Sequence, residues 1–500
     1  MFNICDEQPK GEQMRERKFR GEDAERKHFS FKYIAWLVAM VFLITSVVVL
    51  TKLIKMNILP SKFLIVGIVV IVVVIFIDLI AARKLWPGIL TSIISIALIA
   101  VMIVGVLAIN KVDNTVDKVT DKEREEKTEM VIAVLKDSQT EDISDLSELL
   151  IGYVNDDDID SSKKIMSEID NSVGGSANYN AFDDNFAMVD ALYNQTIKAM
   201  VLNKANISVI EEGEGYEDFE SKIKIIYSND IVNYIKVVDK SQENNLDKFV
   251  VYISGIDTFG DVSVRSRSDV NILAVVDTKT KHIQLINTPR DYYVTHPKSN
   301  GVKDKLTHAG LYGVDNSIGA LESLYDVKVN YYVRMNFSGF EQIIDAMGGI
   351  DVYSDKDFTV EPVKHYTVGE NHLSGIEALA FARERHAFAA GDIQRGENQM
   401  KVVTAMINKL SSKEVLYNYS KILDGVAGAF QTDMSSEDIY SLVKNQLVDN
   451  TSYTIDSYTV TGEGKSCTTY SMPRTRAYVM EPNVNDVNHA KELINGVLNE

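Results

Sequence analysis

Three long apolar runs within the first 110 residues constrain this chain more than any other feature, because a backbone crossing hydrocarbon must satisfy its own N–H and C=O groups. Residues 33–51 carry no charge between Lys32 and Lys52, and residues 85–110 carry none between Lys84 and Lys111. As helices, both are long enough to cross about 30 Å of hydrocarbon. A further run, from Phe63 to Ala82, is interrupted only by Asp78 near its end, where an acid reaches the interface or faces a helix bundle. Residues 33–110 are therefore expected to form three N-terminal transmembrane helices. Eight Lys or Arg within residues 1–32 make that segment a cytoplasmic tail and place everything after Lys111 outside. Lys52, Lys55 and Lys62 outnumber Arg83 and Lys84 in the two short loops and oppose this topology slightly. The tail is too long for a cleavable signal peptide, and two more spans follow it.

The remaining length calls for more than one domain. Seventy-one acidic against 52 basic residues give a net charge of −19, which excludes a general nucleic-acid binder. Cys5 and Cys467 lie on opposite sides of the spans, so neither an intramolecular disulfide nor a cysteine metal site is expected. A disulfide-free outer region suits a Gram-positive bacterium. Residues 111–130 (KVDNTVDKVTDKEREEKTEM) read as a charged, solvated stalk or exposed helix. Residues 131–240 read as a separate mixed α/β accessory domain. It has strand-like runs at 131–135 and 223–227, helical patterns near 141–151 and 184–201, and acidic loops such as NDDDID, but no catalytic constellation. A polar stretch, DKSQENNLDK, closes it at 239–248.

Residues 248–500 form the third region. FVVYISGID (249–257), VNILAVVD (270–277) and HIQLINT (282–288) are strand-length runs rich in β-branched residues. The compact polar link VDTKTKH predicts an antiparallel hairpin between the second and third. Helical patterns at 315–324, 338–347, 374–386 and 392–410 complete an α/β domain, an α+β layered sheet with helices.

Asp257 closes the first strand and Asp269 opens the second, so if the strands are neighbours, two carboxylates meet in the oxygen-rich way that suits Mg²⁺. For a lone aspartate, a cap or loop role is the commoner one. Arg265, Arg267, Arg290, Arg383, Arg385 and Arg395 sit at element ends or beside turns, where guanidinium forks bind phosphate oxygens bidentately. Asp392, Arg395 and Gln399 are spaced i, i+3, i+7 on one helix face. The bland alternative makes Asp392 an N-cap and Arg395 a surface residue. The acidic run Asp156–Asp158 reads as a solvated loop.

Of the aspartates, arginines and glutamine singled out after residue 248, all but Arg265 fall within seven ordered blocks: SGIDT, RSDVNILAVVDTKTK, INTPRDYYV, KLTHAGLYG, NFSGFEQIIDAMGGIDV, LSGIEALAFARERH and GDIQRGENQ. In them the chain resembles the LytR-CpsA-Psr family of bacterial cell-envelope phosphotransferases, strongly over Val250 to Leu410 and more loosely to Glu500. Three spans and an accessory domain resemble its capsule-associated branch. The resemblance implies transfer of a glycopolymer, a capsular polysaccharide, from a polyprenyl-pyrophosphate carrier to peptidoglycan at the membrane, beside capsule-synthesis machinery and without nucleic acid. Carried over by motif, Asp257 and Asp269 would hold Mg²⁺, with Mn²⁺ as an alternative, and Arg290, Arg383 and Arg385 would be catalytic. Arg265, Arg267, Arg395 and Gln399 would bind the pyrophosphate, with Lys305 as a further phosphate contact. Asp392 would be the base for the acceptor hydroxyl. Phe340, Ile343, Ile344, Ala378, Leu379 and Phe381 either line a groove for the isoprenoid or form plain core.

Two other classes stay open: a non-catalytic membrane regulator of capsule synthesis, and a hydrolase that uses water as acceptor at the same site.

Overall fold

The computed structural model describes residues 10–499 except 58, 120–122, 157, 237–244, 389–390, 413–425, 427 and 450, and the backbone alone of residues 10–30, 112, 115–119 and 392. The chain divides into two compact units, one of Met1–Asn114 with Ile439–Asp449 and one of Thr115–Asp438 with Asn450–Glu500.

The first unit holds helices α1 (Lys10–Met56), α2 (Ser61–Ala81) and α3 (Leu85–Val119). Phe31–Met56, Ser61–Ala81 and Leu85–Lys111 are long and apolar enough to cross a membrane. Asp78 is buried and accepts a 2.6 Å hydrogen bond from Ser95 Oγ, so it faces the bundle, where an acid finds a partner that hydrocarbon cannot supply.

In the second unit the accessory part is a five-stranded sheet, β1 (Glu123–Leu135), β2 (Leu150–Val154), β3 (Asn178–Phe182), β4 (Ala199–Asn203) and β5 (Ile223–Lys236), in the order β3-β2-β4-β1-β5. Alternation along β1 makes both of its faces core. Met130, Ile132 and Val134 pack with Ile165 and Ile169 of α4 (Ile159–Val173). Val131 and Ala133 pack with Phe186 and Val189 of α5 (Asn185–Tyr193) and with Ile207 and Ile210 of α6 (Ala205–Glu211).

Three sequence expectations are corrected here. The charged run 111–130 is helix to Val119, the second of its two expected forms, and from Glu123 it is strand β1 rather than stalk. Its charges alternate with the pleat, and Arg124 is buried against Glu126 (2.8 Å) and Asp315 (2.9 Å). The helical patterns at 141–151 and 184–201 each break. The first is a single 3₁₀ turn, Ile143–Leu146, before β2, and the second stops at Tyr193, where Gln195 takes a left-handed φ of 61° before β4. The accessory part is also not separate, because Leu311, Met472 and Ala477 of the third region are buried in its core cluster. A backbone bridge joins the two, with Lys127 N–H to Ser263 O at 2.9 Å and Arg265 N–H to Lys127 O at 2.8 Å.

The third region is built on β6 (Lys248–Ile256), β7 (Ser268–Asp277), β8 (His282–Asn287), β9 (Tyr331–Met335), β10 (Phe430–Thr432) and β11 (Thr454–Thr459), in the order β10-β9-β6-β7-β8-β11. The β7–β8 hairpin is antiparallel as expected, with Asp277 opposite His282. The four expected helices appear as α7 (Val314–Tyr325), α8 (Phe337–Ala346), α9 (Gly375–Arg383) and α10 (Asp392–Leu410), and α11 (Val484–Asn499) follows β11. On one face Val250, Tyr252, Leu273, Val275 and Ile286 are buried against Ile318 and Leu321 of α7 and Ile494 of α11. Truncating a fully buried leucine such as Leu273 costs about 2–5 kcal/mol, so the strands beneath the candidate site are firmly held. Ile344, Ala378 and Phe381 are buried, as core residues would be.

Candidate functional site

The site begins with a break in strand register. Gly255 stands opposite Val270 but Ile256 stands opposite Ser268, so Asp269 is an extra residue on β7. A bulge of this kind turns a side chain out of the ladder's alternation and is a common device beside active sites. Below it the strand ends are tied by buried hydroxyls: Tyr252 Oη donates to Asn271 Oδ1 at 2.6 Å, and Ser254 Oγ lies 2.8 Å from Ser268 Oγ. Asp257 follows β6 directly, so the two carboxylates flank one strand pair, as the sequence suggested.

Arginines surround both. Arg267 reaches Asp257 Oδ2 at 2.8 Å, and Arg290 reaches Asp269 Oδ2 at 2.9 Å. Thr307 Oγ1 donates to the other Asp269 oxygen at 3.0 Å. Burial alone would raise the Asp269 carboxyl, but the positive fields of Arg290, Arg267 and Arg395 outweigh it and hold the group below the usual carboxylate range. Three of the predicted arginines therefore act on one predicted aspartate. Asp269, Arg290, Arg395 and Gln399 line the same open cleft, with Asn287, Thr461 and Ile393. Helix α10 comes this close because position 396 is glycine, where a Cβ would collide with the Asn287 amide.

Other predicted residues are placed elsewhere. Arg265 points away from this cluster, donating to Asp158 Oδ1 (2.8 Å) and to the Leu311 carbonyl (2.9 Å). Asp158 is accordingly no solvated loop residue, since it also accepts from Asn203 Nδ2 at 2.9 Å. Arg383 is exposed and stacks over Phe337, 4.2 Å from the ring centroid. Phe337 N–H in turn binds the Thr258 carbonyl at 3.0 Å, so Arg383 stands beside the loop that leaves Asp257. Arg385 is half-buried beyond the end of α9. Asp392 begins α10, and its side chain lies outside the described residues. Lys305 is buried between Glu212 (2.6 Å) and Asp291 (3.2 Å).

Sequence reasoning passed over Asp291, Thr307, Asp304, His308 and Glu212. Asp291, Thr307 and His308 lie inside quoted blocks, INTPRDYYV and KLTHAGLYG, so their signal was present, and Asp304 stands one residue before the second block. Glu212 lies outside them all, and only tertiary contact reveals it. His308 is fully buried, with Nδ1 3.0 Å from Asp304 Oδ1 and Nε2 3.4 Å from Glu212 Oε2. Burial pushes its imidazolium down, but the Asp304 and Glu212 carboxylates prevail and raise it from 6.5 to about 9.

A raised cationic group contributes stability that is complete below its unfolded value and is lost as pH rises through the folded one. Thermal stability should therefore fall between about pH 6.5 and pH 9, by on the order of 3 kcal/mol from this group. Asp304 and Glu212 are both depressed. For each, burial acts upward and is outweighed, chiefly by His308, so their contribution is lost on the acid side. Melting curves of the detergent-solubilised protein across that range test this, and His308→Gln should flatten the alkaline limb. An alkaline limb unchanged in that variant would refute the assignment.

Asp257 and Asp269 are hard oxygen donors that suit Mg²⁺. Among the described residues, no group of three or more His, Cys, Asp or Glu is placed to hold a metal. A shell built on these two carboxylates would thus need phosphate oxygens and water to complete it, which is how Mg²⁺ commonly binds.

Comparison with known proteins adds the following. The family described as LytR_cpsA_psr matches residues 217–486. Two curated relatives, from Enterococcus faecalis and Bacillus cereus, are each called polyisoprenyl-teichoic acid–peptidoglycan teichoic acid transferase TagU. The first is 34% identical over 198 residues, 39% of this chain and 65% of its own. The second is 33% identical over 196 residues, 39% of this chain and 63% of its own. The chain thus spans slightly less than two thirds of either relative. The crystal structure of B. subtilis TagV covers 51% of this chain and 99% of its own, at 26% identity and a TM-score of 0.44.

Proposed function

This chain belongs to the LytR_cpsA_psr family, and on that premise we propose that it transfers a glycopolymer with its linking phosphate from a polyprenyl-pyrophosphate carrier to peptidoglycan. The observation that carries the reading is the convergence of Arg267, Arg290 and Arg395 on Asp269, at a cleft that also presents Gln399. Preorganised guanidinium groups suit the charge that spreads over phosphoryl oxygens during transfer. The acceptor hydroxyl oxygen attacks the phosphorus that bears the polymer, and the bridging P–O bond of the pyrophosphate breaks. Polyprenyl phosphate leaves, and the hydroxyl proton passes to Asp392 as base. Arg290, Arg395 and Gln399, which line the cleft, would cradle the phosphate oxygens, and Arg383 and Arg385 would join them from the end of α9. Asp257 and Asp269 would hold Mg²⁺, which would supply charge neutralisation at the pyrophosphate.

The polymer is read as a capsular polysaccharide, which the three spans and the accessory domain support, while both relatives are named for teichoic acid. In this reading the enzyme sits in a bacterial cell membrane with its catalytic region outside.

Detergent-purified protein is incubated with polyprenyl-pyrophosphoryl oligosaccharides of either type and peptidoglycan fragments, and the products are weighed by mass spectrometry. A phosphodiester-linked adduct that EDTA abolishes and Mg²⁺ restores is the expected result. Free oligosaccharide phosphate without an adduct would make the protein a hydrolase, and an untouched lipid donor would leave it a regulator. Preference for the teichoic acid donor would overturn the capsule assignment alone.

A further inference from the structure

Glu212 follows α6 in the accessory part and reaches across to the candidate site. Its Oε1 is 2.9 Å from Arg267 Nη1, and its Oε2 is 2.6 Å from Lys305 Nζ and 3.4 Å from His308 Nε2. Each of these cations has a second carboxylate within the phosphotransferase region: Asp257 for Arg267 (2.8 Å), Asp291 for Lys305 (3.2 Å) and Asp304 for His308 (3.0 Å). Among the described residues, Glu212 is thus the carboxylate that all three cations share. It is largely buried, 22% exposed, so the pairing is not the loose surface kind that contributes little. An ordinary tether between the two parts is also present at Arg474, which is half-exposed and meets Asp184 at 2.5 Å. Glu212 differs in what it holds. The Arg267 guanidinium is gripped on one side by Glu212 and on the other by Asp257, which fixes its plane, and a fixed fork beside the phosphate site needs no rearrangement when charge develops there.

We infer that Glu212 is a positioning residue for phosphoryl transfer, holding Arg267 and Lys305 in the orientation that meets the donor pyrophosphate, so that the accessory part completes the site. The inference rests on the transferase reading above. It also gives the accessory part a task that its own sequence, without a catalytic constellation, does not suggest. Groups that orient a reacting centre's ligands typically cost about 10- to 100-fold in activity or affinity when removed.

The test uses the full chain in detergent. Glu212→Gln should lower kcat about 10- to 100-fold, with KM for the lipid donor moving much less, while Glu214→Gln, an exposed neighbour, should match the wild type. Once Arg267 is gone, Glu212 has only Lys305 left to orient. Glu212→Gln combined with Arg267→Gln should therefore lose less than the product of the two single losses, whereas a merely structural role would multiply them. If Glu212→Gln does not fold, Glu212→Asp keeps the charge at shorter reach and should still show reduced kcat at wild-type melting temperature. Calorimetric binding of inorganic pyrophosphate needs no turnover and should weaken about tenfold in Glu212→Gln. A wild type that transfers nothing but binds pyrophosphate more tightly than Glu212→Gln would sink the transferase reading and keep the positioning role. Unchanged kcat and unchanged pyrophosphate affinity in the variants, or losses that multiply, would overturn the inference.

Discussion

Arg290→Ala is expected to lower the transfer rate by about 100- to 1,000-fold, the loss typical when one preorganised donor to a developing charge is removed. The guanidinium is held at 2.9 Å by Asp269 Oδ2 and lines the cleft with Arg395 and Gln399. Arg290→Lys should recover little, because an ammonium keeps the charge but not the two-pronged geometry that matches phosphate oxygens. Folding should survive the change. Asp269 keeps the fields of Arg267 and Arg395 and the Thr307 hydrogen bond, so its charge is not left unneutralised. Mass-spectrometric rates for the wild type and both variants, with melting temperatures alongside, check this. A variant within threefold of wild type would remove Arg290 from the chemistry, and a collapse in melting temperature would make its role structural.

Gly339→Ala is expected to have the larger effect on stability. The N-terminus of α8 is fixed by Asn336, whose Oδ1 accepts from Gly339 N–H at 2.8 Å. A methyl group on residue 339 would be driven into the carbonyl and Cα of Ala429. Backbone is the neighbour, so no rotamer change relieves the overlap. Either α8 lifts from the sheet edge near β10 or the cap is lost, and overpacking of this kind costs about 1–3 kcal/mol or more. A melting temperature several degrees below wild type, with loss of transfer in proportion to the unfolded fraction, is the expected result. Wild-type stability would mean that the helix and the Ala429 segment are free to separate.

The motif NFSGFEQIIDAMGGIDV was legible as a block, but the reason for its glycine was not, since Ala429 lies ninety residues away in the sequence. The same division holds across the molecule. Local periodicity determined what depends on near neighbours: the three membrane helices from charge-free length, the β7–β8 hairpin from its polar link, and α7, α8 and α10 from apolar spacing. The order of residues also brought Asp257 and Asp269 to adjoining strand ends, because a strand pair joined by one loop must return its ends together. Where periodicity misled, long-range pairing had overridden it. The charged run before Met130 became a strand because Arg124 and Glu126 neutralise each other in the interior, and the helical pattern at 184–201 gave way to a strand that pairs with β1. Only the tertiary structure decided which arginines share a field. Arg267, Arg290 and Arg395 act on Asp269, while Arg265, two residues from Arg267, is drawn off by Asp158 of the accessory part. The physical reason is that guanidinium side chains are long and go to the nearest buried carboxylate. Which carboxylate that is depends on how distant segments pack, and for Glu212 no local pattern in the chain carries that information.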